Sequence, residues 1–125
     1  MREIKFRVWD KITQSYSGGD LWSLFQSGKL YYGNALWKEG IVELFTGLYD
    51  KNGKEIYEGD IISVVHPFKN RKHIGEVIFE EYEFNIKGFS FSHYDYPGEA
   101  FSEGTQYMEV IGNIHDNPEL LEKDN

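Results

Sequence analysis

The sequence predicts a mainly β domain, an antiparallel barrel or sandwich with one or two short helices, on three observations. Short apolar runs alternate with a period of two residues. Gly and Asn turn signals separate them at close spacing. Aromatic residues make up 17% of the chain and recur in strand-like positions. Strands alternating with long helical patterns, the mark of a parallel α/β sheet, are absent from the sequence.

Residues 2–9 place Ile4, Phe6 and Val8 on one face and Lys5, Arg7 and Trp9 on the other, which predicts a half-buried strand ended by a turn at Asp10-Lys11. After SYSGGD, Leu21, Trp22, Leu24 and Phe25 follow helical spacing. With Asp20 as N-cap and Gly28 as stop they predict a short helix. Residues 29–37 and 40–46 return to short strand-like runs, broken at Gly33-Asn34 and Glu39-Gly40.

TGLYDKNGKEIYEGDII follows, at 46–62. Asp50, Asn52 and Lys54 fall where a calcium loop places its first side-chain ligands. Lys54, however, is a cation where an oxygen is needed, Glu55 replaces the turn glycine, and Ile61 stands where the bidentate Glu should close the site. Neither GxxxxGK[ST] nor GxGxxG spacing is present to cradle a phosphate. A hairpin fits better, since Asn-Gly is the strongest short-range turn signal.

Charge selects the register of that hairpin. A two-residue turn opposes Lys51 to Lys54 and Asp50 to Glu55. A three-residue loop of Lys51, Asn52 and a left-handed Gly53 instead sets Asp50 against Lys54 and Leu48 against Ile56, and is predicted. Glu58-Gly59-Asp60 turns the chain again into a strand through Ile61, Ile62, Val64 and Val65.

The loop HPFKNRKH, 66–73, carries Lys69, Arg71 and Lys72 between His66 and His73, a positive island in an acidic chain. Val77 with Phe79, Phe84 with Ile86, and Phe89 with Phe91 then alternate in two or three antiparallel strands, separated at Glu80-Glu81 and Lys87-Gly88. Residues 92–104 read as a turn-rich, mobile connection and 106–114 as the last strand. Asn117-Pro118-Glu119 has the order of an N-cap, a helix-compatible Pro and a first-turn acid, which predicts a short closing helix through Leu120 and Leu121.

A chain of 125 residues can bury well over half of its unfolded surface without staples. The absence of Cys excludes disulfide and thiolate chemistry. MREIKFRVWDK contains no unbroken apolar run, so neither a signal peptide nor a transmembrane helix is expected, and a cytoplasmic protein is. With 13 Lys and Arg against 21 Asp and Glu, the net charge of −8 opposes general adhesion to nucleic acid or anionic lipid and favours a basic partner.

Four blocks, MREIKFRVWDK, TGLYDKNGKEIYEGDII, GEVIFEEYEFNI and MEVIGNIHDNPELL, together resemble the YopX family of phage and prophage proteins. They stand in the family's order and reach both termini. Residues 15–40 and 93–105 carry no matching motif. The resemblance implies a largely β protein with an SH3-like barrel component, made in the bacterial host's cytoplasm, that self-associates. It implies no activity and no catalytic or binding residues. The chain is read as a single YopX-like domain over 1–125, with a possible N-terminal subregion 1–45 and a β-barrel subregion 46–125.

No constellation points to catalysis: no Ser lies in a GxSxG elbow, and His93 and His115 have no partner at a recognised spacing. Glu80, Glu81 and Glu83 read as a solvated strand rather than an acid pair. His66 and His73 lack zinc spacing. No enzyme activity, metal or cofactor is therefore expected. The candidate binding residues are Phe68, Lys69, Arg71 and Lys72, against the plainer reading of an exposed loop. Two functions of different class follow: an accessory module that binds a host or phage protein or further copies of itself, and a small nucleic-acid-binding barrel that uses the basic loop.

Overall fold

The computed structural model describes residues 5–17, 22–24, 30–32, 35–36, 39–65, 71–80, 83–89 and 101–122. They are mainly strand, in antiparallel pairings throughout, as the short alternating runs predicted. The chain divides into two compact units, 1–45 and 46–125.

In the first unit, β1 (Phe6–Asp10) pairs on one side with β2 (Ser15–Ser17) and on the other with β6 (Gly40–Tyr49), in a register that opposes Arg7 to Glu43 and Val8 to Val42. Val8 is buried against Phe6 and Val42, the apolar face read from the alternation. The opposite face departs from expectation, because Trp9 is buried too. Its ring meets Tyr16 edge-on at 5.0 Å, and the two are cross-strand partners. Asp10 makes the turn after β1 by accepting from the N–H groups of Ile12 and Thr13 at 2.8 and 3.3 Å.

The helix expected from Asp20 to Gly28 does not form in its described part. Trp22–Leu24 is a strand, β3, antiparallel to β4 (Leu30–Tyr32), which in turn pairs with β5 (Ala35–Leu36). Four apolar residues within five positions satisfy a helical face and a strand equally. So short a run has too few turns to offset helix nucleation, and pairing with β4 decides the outcome. Asp20, Leu21, Phe25 and Gly28 lie outside the described residues.

The second unit begins within β6, whose hairpin partner is β7 (Glu55–Tyr57). The turn follows the three-residue register: Asp50 N–H donates to the Lys54 carbonyl at 2.8 Å, and Gly53 takes φ +82°, a conformation that costs a glycine little. Beyond the next turn, β8 (Asp60–Val65), β9 (Lys72–Glu80), β10 (Glu83–Ile86) and β11 (Met108–Asn113) form a sheet in the order β10-β9-β8-β11.

Register explains the core. Ile62 lies opposite Val110 on one side and Gly75 on the other, Val64 opposite Met108 and His73, and Val77 opposite Ile86, so these residues share one face. Ile62, Val64, Val77, Phe84, Ile86 and Met108 are buried there with Ile56 and Phe101. Each such side chain contributes roughly 1.5–3 kcal/mol. Gly75 is required by this packing, since a Cβ there would stand 2.6 Å from Ile86 Cγ2 and 2.9 Å from the Lys87 carbonyl oxygen.

Three expectations are corrected in this unit. Lys72 and His73 belong to β9 rather than to a loop reaching 73, because β8 is long enough to pair Val65 with Lys72 and Val64 with His73. Phe101, in the segment read as a mobile connection, opens a short 3-10 turn (Phe101–Glu103) and is buried in the core. The last strand starts at Met108, after a second such turn (Thr105–Tyr107), and holds one extra residue, Ile111, where the register shifts between Val110 and Gly112.

The closing helix α1 (Glu119–Glu122) is present where Asn117-Pro118-Glu119 predicted it. The Asn117 side chain turns back to accept from Asn113 N–H at 3.2 Å, so it braces the end of β11.

Candidate functional site

The expected site begins where β9 begins. Arg71 and Lys72 are exposed, while Phe68 and Lys69 lie outside the described residues. His73 is half-buried, its ring tilted against Phe89 at 5.2 Å and its Nε2 3.4 Å from the Lys87 carbonyl oxygen. Beside it, His73, Ile74, Gly75, Glu76, Lys87 and Leu121 line an open groove of about 290 Å³. Glu76 places an acid among these bases, so the groove is not a simple cradle for an anion.

The far end of β9 has the opposite chemistry. The hairpin closes in a register that sets Glu80 directly against Glu83 and Phe79 against Phe84. Like charges on opposed strand positions repel and lower stability. Among the described residues neither acid meets a cation, and the Glu83 carboxylate only accepts from Asn85 Nδ2 at 3.3 Å.

Phe79 continues the core row of Gly75 and Val77, but the cover ends before it, and its ring is 42% exposed. It meets buried Phe84 edge-on, with ring centroids 4.8 Å apart. Alternation alone put Phe79 on the same strand face as Val77 and read the acids as solvated. What the sequence did not reveal is that both pairs stand at one exposed tip, the aromatics on one face of the hairpin and the acids on the other.

Four carboxylates among the described residues are buried, Asp10, Glu43, Asp50 and Asp60, and each accepts a hydrogen bond. Asp50 directs Oδ1 at the N–H groups of Asn52 and Lys54 and Oδ2 at the N–H of Val110, each at 2.9 Å. Burial pushes its pKa up, but the hydrogen bonds from Val110, Lys54 and Asn52, with the Lys54 charge, outweigh this and hold the carboxyl below the usual aspartate range. Lys51 N–H donates to the Met108 carbonyl at 3.0 Å, so the whole turn is stitched to β11. The acid that resembled a metal ligand is thus occupied by backbone donors.

In the first unit Glu43 is also buried. Its Oε1 accepts from Arg7 Nε at 2.9 Å and from Tyr16 OH at 2.8 Å, and the Arg7 guanidinium lies 4.0 Å from the Tyr16 ring centre. Arg7 therefore neutralises, and Tyr16 solvates, a charge that would otherwise be costly to bury.

Among the described residues no three acids, histidines or cysteines converge in a way that could hold a metal ion. His115 is half-buried in the turn after β11, where its N–H donates to Asn113 Oδ1 at 2.9 Å. His66 and His93 lie outside the described residues. No helix among the described residues is long and apolar enough to cross a membrane.

A family model described as "YopX protein" matches residues 5–122. Among solved structures, protein EF1440 from Enterococcus faecalis is similar with a TM-score of 0.69 at 24% identity, over 97% of this chain and 99% of that one. Protein yopX from Bacillus subtilis is similar with a TM-score of 0.62 at 23% identity, again over 97% and 99%. At these identities the likeness speaks for the fold. No curated protein matches the chain significantly.

Proposed function

The chain belongs to the YopX protein family, and from that premise we propose that it is a non-enzymatic phage or prophage accessory protein of the bacterial cytoplasm. It works by binding a host or phage protein or further copies of itself, with the β9–β10 tip as the contact. The second unit then serves as the SH3-like barrel component, a reading supported by its antiparallel run β8, β9, β10 and the return of β11 beside β8.

The observation that carries this reading is the Phe79 ring, half-exposed beside Phe84, with the opposed carboxylates of Glu80 and Glu83 one position further along, on the other face of the same tip. An aromatic anchor with a charged rim is the composition of an interface hot spot. A basic protein surface would relieve the repulsion between the two acids, and the net charge of −8 draws such a surface in.

The test is affinity purification of the tagged chain from infected or prophage-induced cells, with nuclease, beside a Phe79→Ser/Glu83→Lys variant. A defined protein recovered by the wild type and lost from the variant supports the tip. Equal recovery by both removes it. The exposed pair Arg71 and Lys72 keeps the nucleic-acid reading open as an outcome: nucleic acid retained without nuclease, released by raised salt, and lost on replacing Lys69, Arg71 and Lys72 with Ala would favour it.

A further inference from the structure

We propose that Asn52-Gly53 is a site of spontaneous modification in the folded protein, converting to aspartate and isoaspartate at a rate set by the opening of the Asp50 turn. Asn52 is the chain's only Asn followed by Gly. It is exposed, and among the described residues its side-chain amide makes no hydrogen bond. Gly53 stands in open space, with no atom within 4 Å of the position a Cβ would take. Nothing therefore shields the reacting pair sterically.

The reaction needs only water. The Gly53 nitrogen gives up its proton and attacks Asn52 Cγ. The Cγ–Nδ2 bond breaks and ammonia leaves with a proton, closing a five-membered imide. Water then opens the ring at Cγ to give aspartate, or at the Asn52 backbone carbonyl to give isoaspartate. One amide and one water thus become one carboxylic acid and one ammonia.

Hydrogen bonding is the gate. Gly53 N–H donates to the Asp50 carbonyl at 3.0 Å, and Asn52 N–H donates to Asp50 Oδ1 at 2.9 Å. While these bonds hold, the nucleophile is engaged, and its deprotonated form would lie close to the Asp50 carboxylate. Reaction therefore proceeds from the locally opened turn.

Its products prevent the turn from closing fully again. Isoaspartate adds a methylene to the backbone of a three-residue loop, and aspartate adds a second carboxylate beside Asp50. Either displaces the donors on which Asp50 depends, and with them its bond to Val110 and the Lys51 bond to Met108. Ageing of this turn loosens the outer edge of β11.

The test is incubation of the full chain in mildly alkaline buffer, followed by cleavage after Glu43 and Glu55. The resulting peptide, 44–55, carries Asn52 as its only amide side chain, so its mass reports the conversion. The expected result is conversion in the folded wild type, slower than in the urea-denatured chain by about tenfold or more, and accelerated by about tenfold in folded Asp50→Ala. An intact Asn52 in the folded protein while the denatured chain converts would overturn the proposal. So would equal rates in the folded and denatured chains, or an unchanged rate in folded Asp50→Ala. Should Asp50→Ala fail to fold, the folded and denatured wild-type rates decide by themselves.

Discussion

The second unit has two hairpins that carry acids at their turns, and it treats them in opposite ways. At the β6–β7 turn, Asp50 is buried and receives three backbone N–H groups, one from a strand sixty residues away. At the β9–β10 turn, Glu80 and Glu83 face each other in solvent with no counterion among the described residues, next to a ring that the core leaves uncovered. The first arrangement stabilises the fold. The second works against the fold, since like charges stand on opposed strand positions.

The largest expected effect comes from breaking the satisfied acid. Asp50→Ala should cost about 3 kcal/mol, since it removes the charge-assisted acceptor of three hydrogen bonds. Urea unfolding should show a lower midpoint, and hydrogen exchange should speed up at Val110 as well as at Asn52 and Lys54. The same carboxylate predicts an acid dependence. Its pKa is lowered in the folded chain, so its contribution is fully present above the unfolded value of about 3.9. The contribution is lost as the pH falls through the lower folded value, because the unfolded chain binds more protons there. An unfolding series in that acid range should be flatter in Asp50→Ala than in the wild type.

Gly75→Ala should come next, with a loss of about 2 kcal/mol, since the added methyl collides with Ile86 and the Lys87 backbone. The β9–β10 hairpin would thereby be shown to draw its stability from its base. At the tip, Phe79→Ser should cost only about 1 kcal/mol in calorimetry, the value of one edge-on aromatic contact on a half-exposed ring. The smallest effect has the opposite sign: Glu83→Gln should leave stability unchanged or raise it by about 0.5 kcal/mol, by relieving the repulsion with Glu80.

The two hairpins also differ in what their sequences disclose. The Asn-Gly signal and the cross-strand charges were enough to predict Gly53 as left-handed and Asp50 opposite Lys54, because both are local. The bond from Val110 to Asp50 joins residues sixty positions apart, and no spacing rule reaches that far. Alternation put Val77, Phe84 and Ile86 on strands, and all three are buried in the core. It left the burial of Trp9 and the exposure of Phe79 unforeseen for a common reason: period two tells which residues share a face, while cover is decided by what packs on that face. Phe101 was missed because its immediate neighbours in a turn-rich stretch set no apolar period. The short helix expected around Trp22 gave way to strand pairing that the five-residue window could not reveal. Of the candidate site, the exposure of Arg71 and Lys72 was legible as charge, whereas the opposition of Glu80 to Glu83 and of Phe79 to Phe84 at one tip required the register.

The central claim is that the acids at the β9–β10 tip are kept against the interest of the fold. The most direct test is the unfolding free energy of Glu80→Gln/Glu83→Gln measured beside Asp50→Ala in the same urea series. The double variant should be as stable as the wild type or more so, while Asp50→Ala loses about 3 kcal/mol. A loss in the double variant comparable to that of Asp50→Ala would show the tip carboxylates to be structural, and would contradict the account.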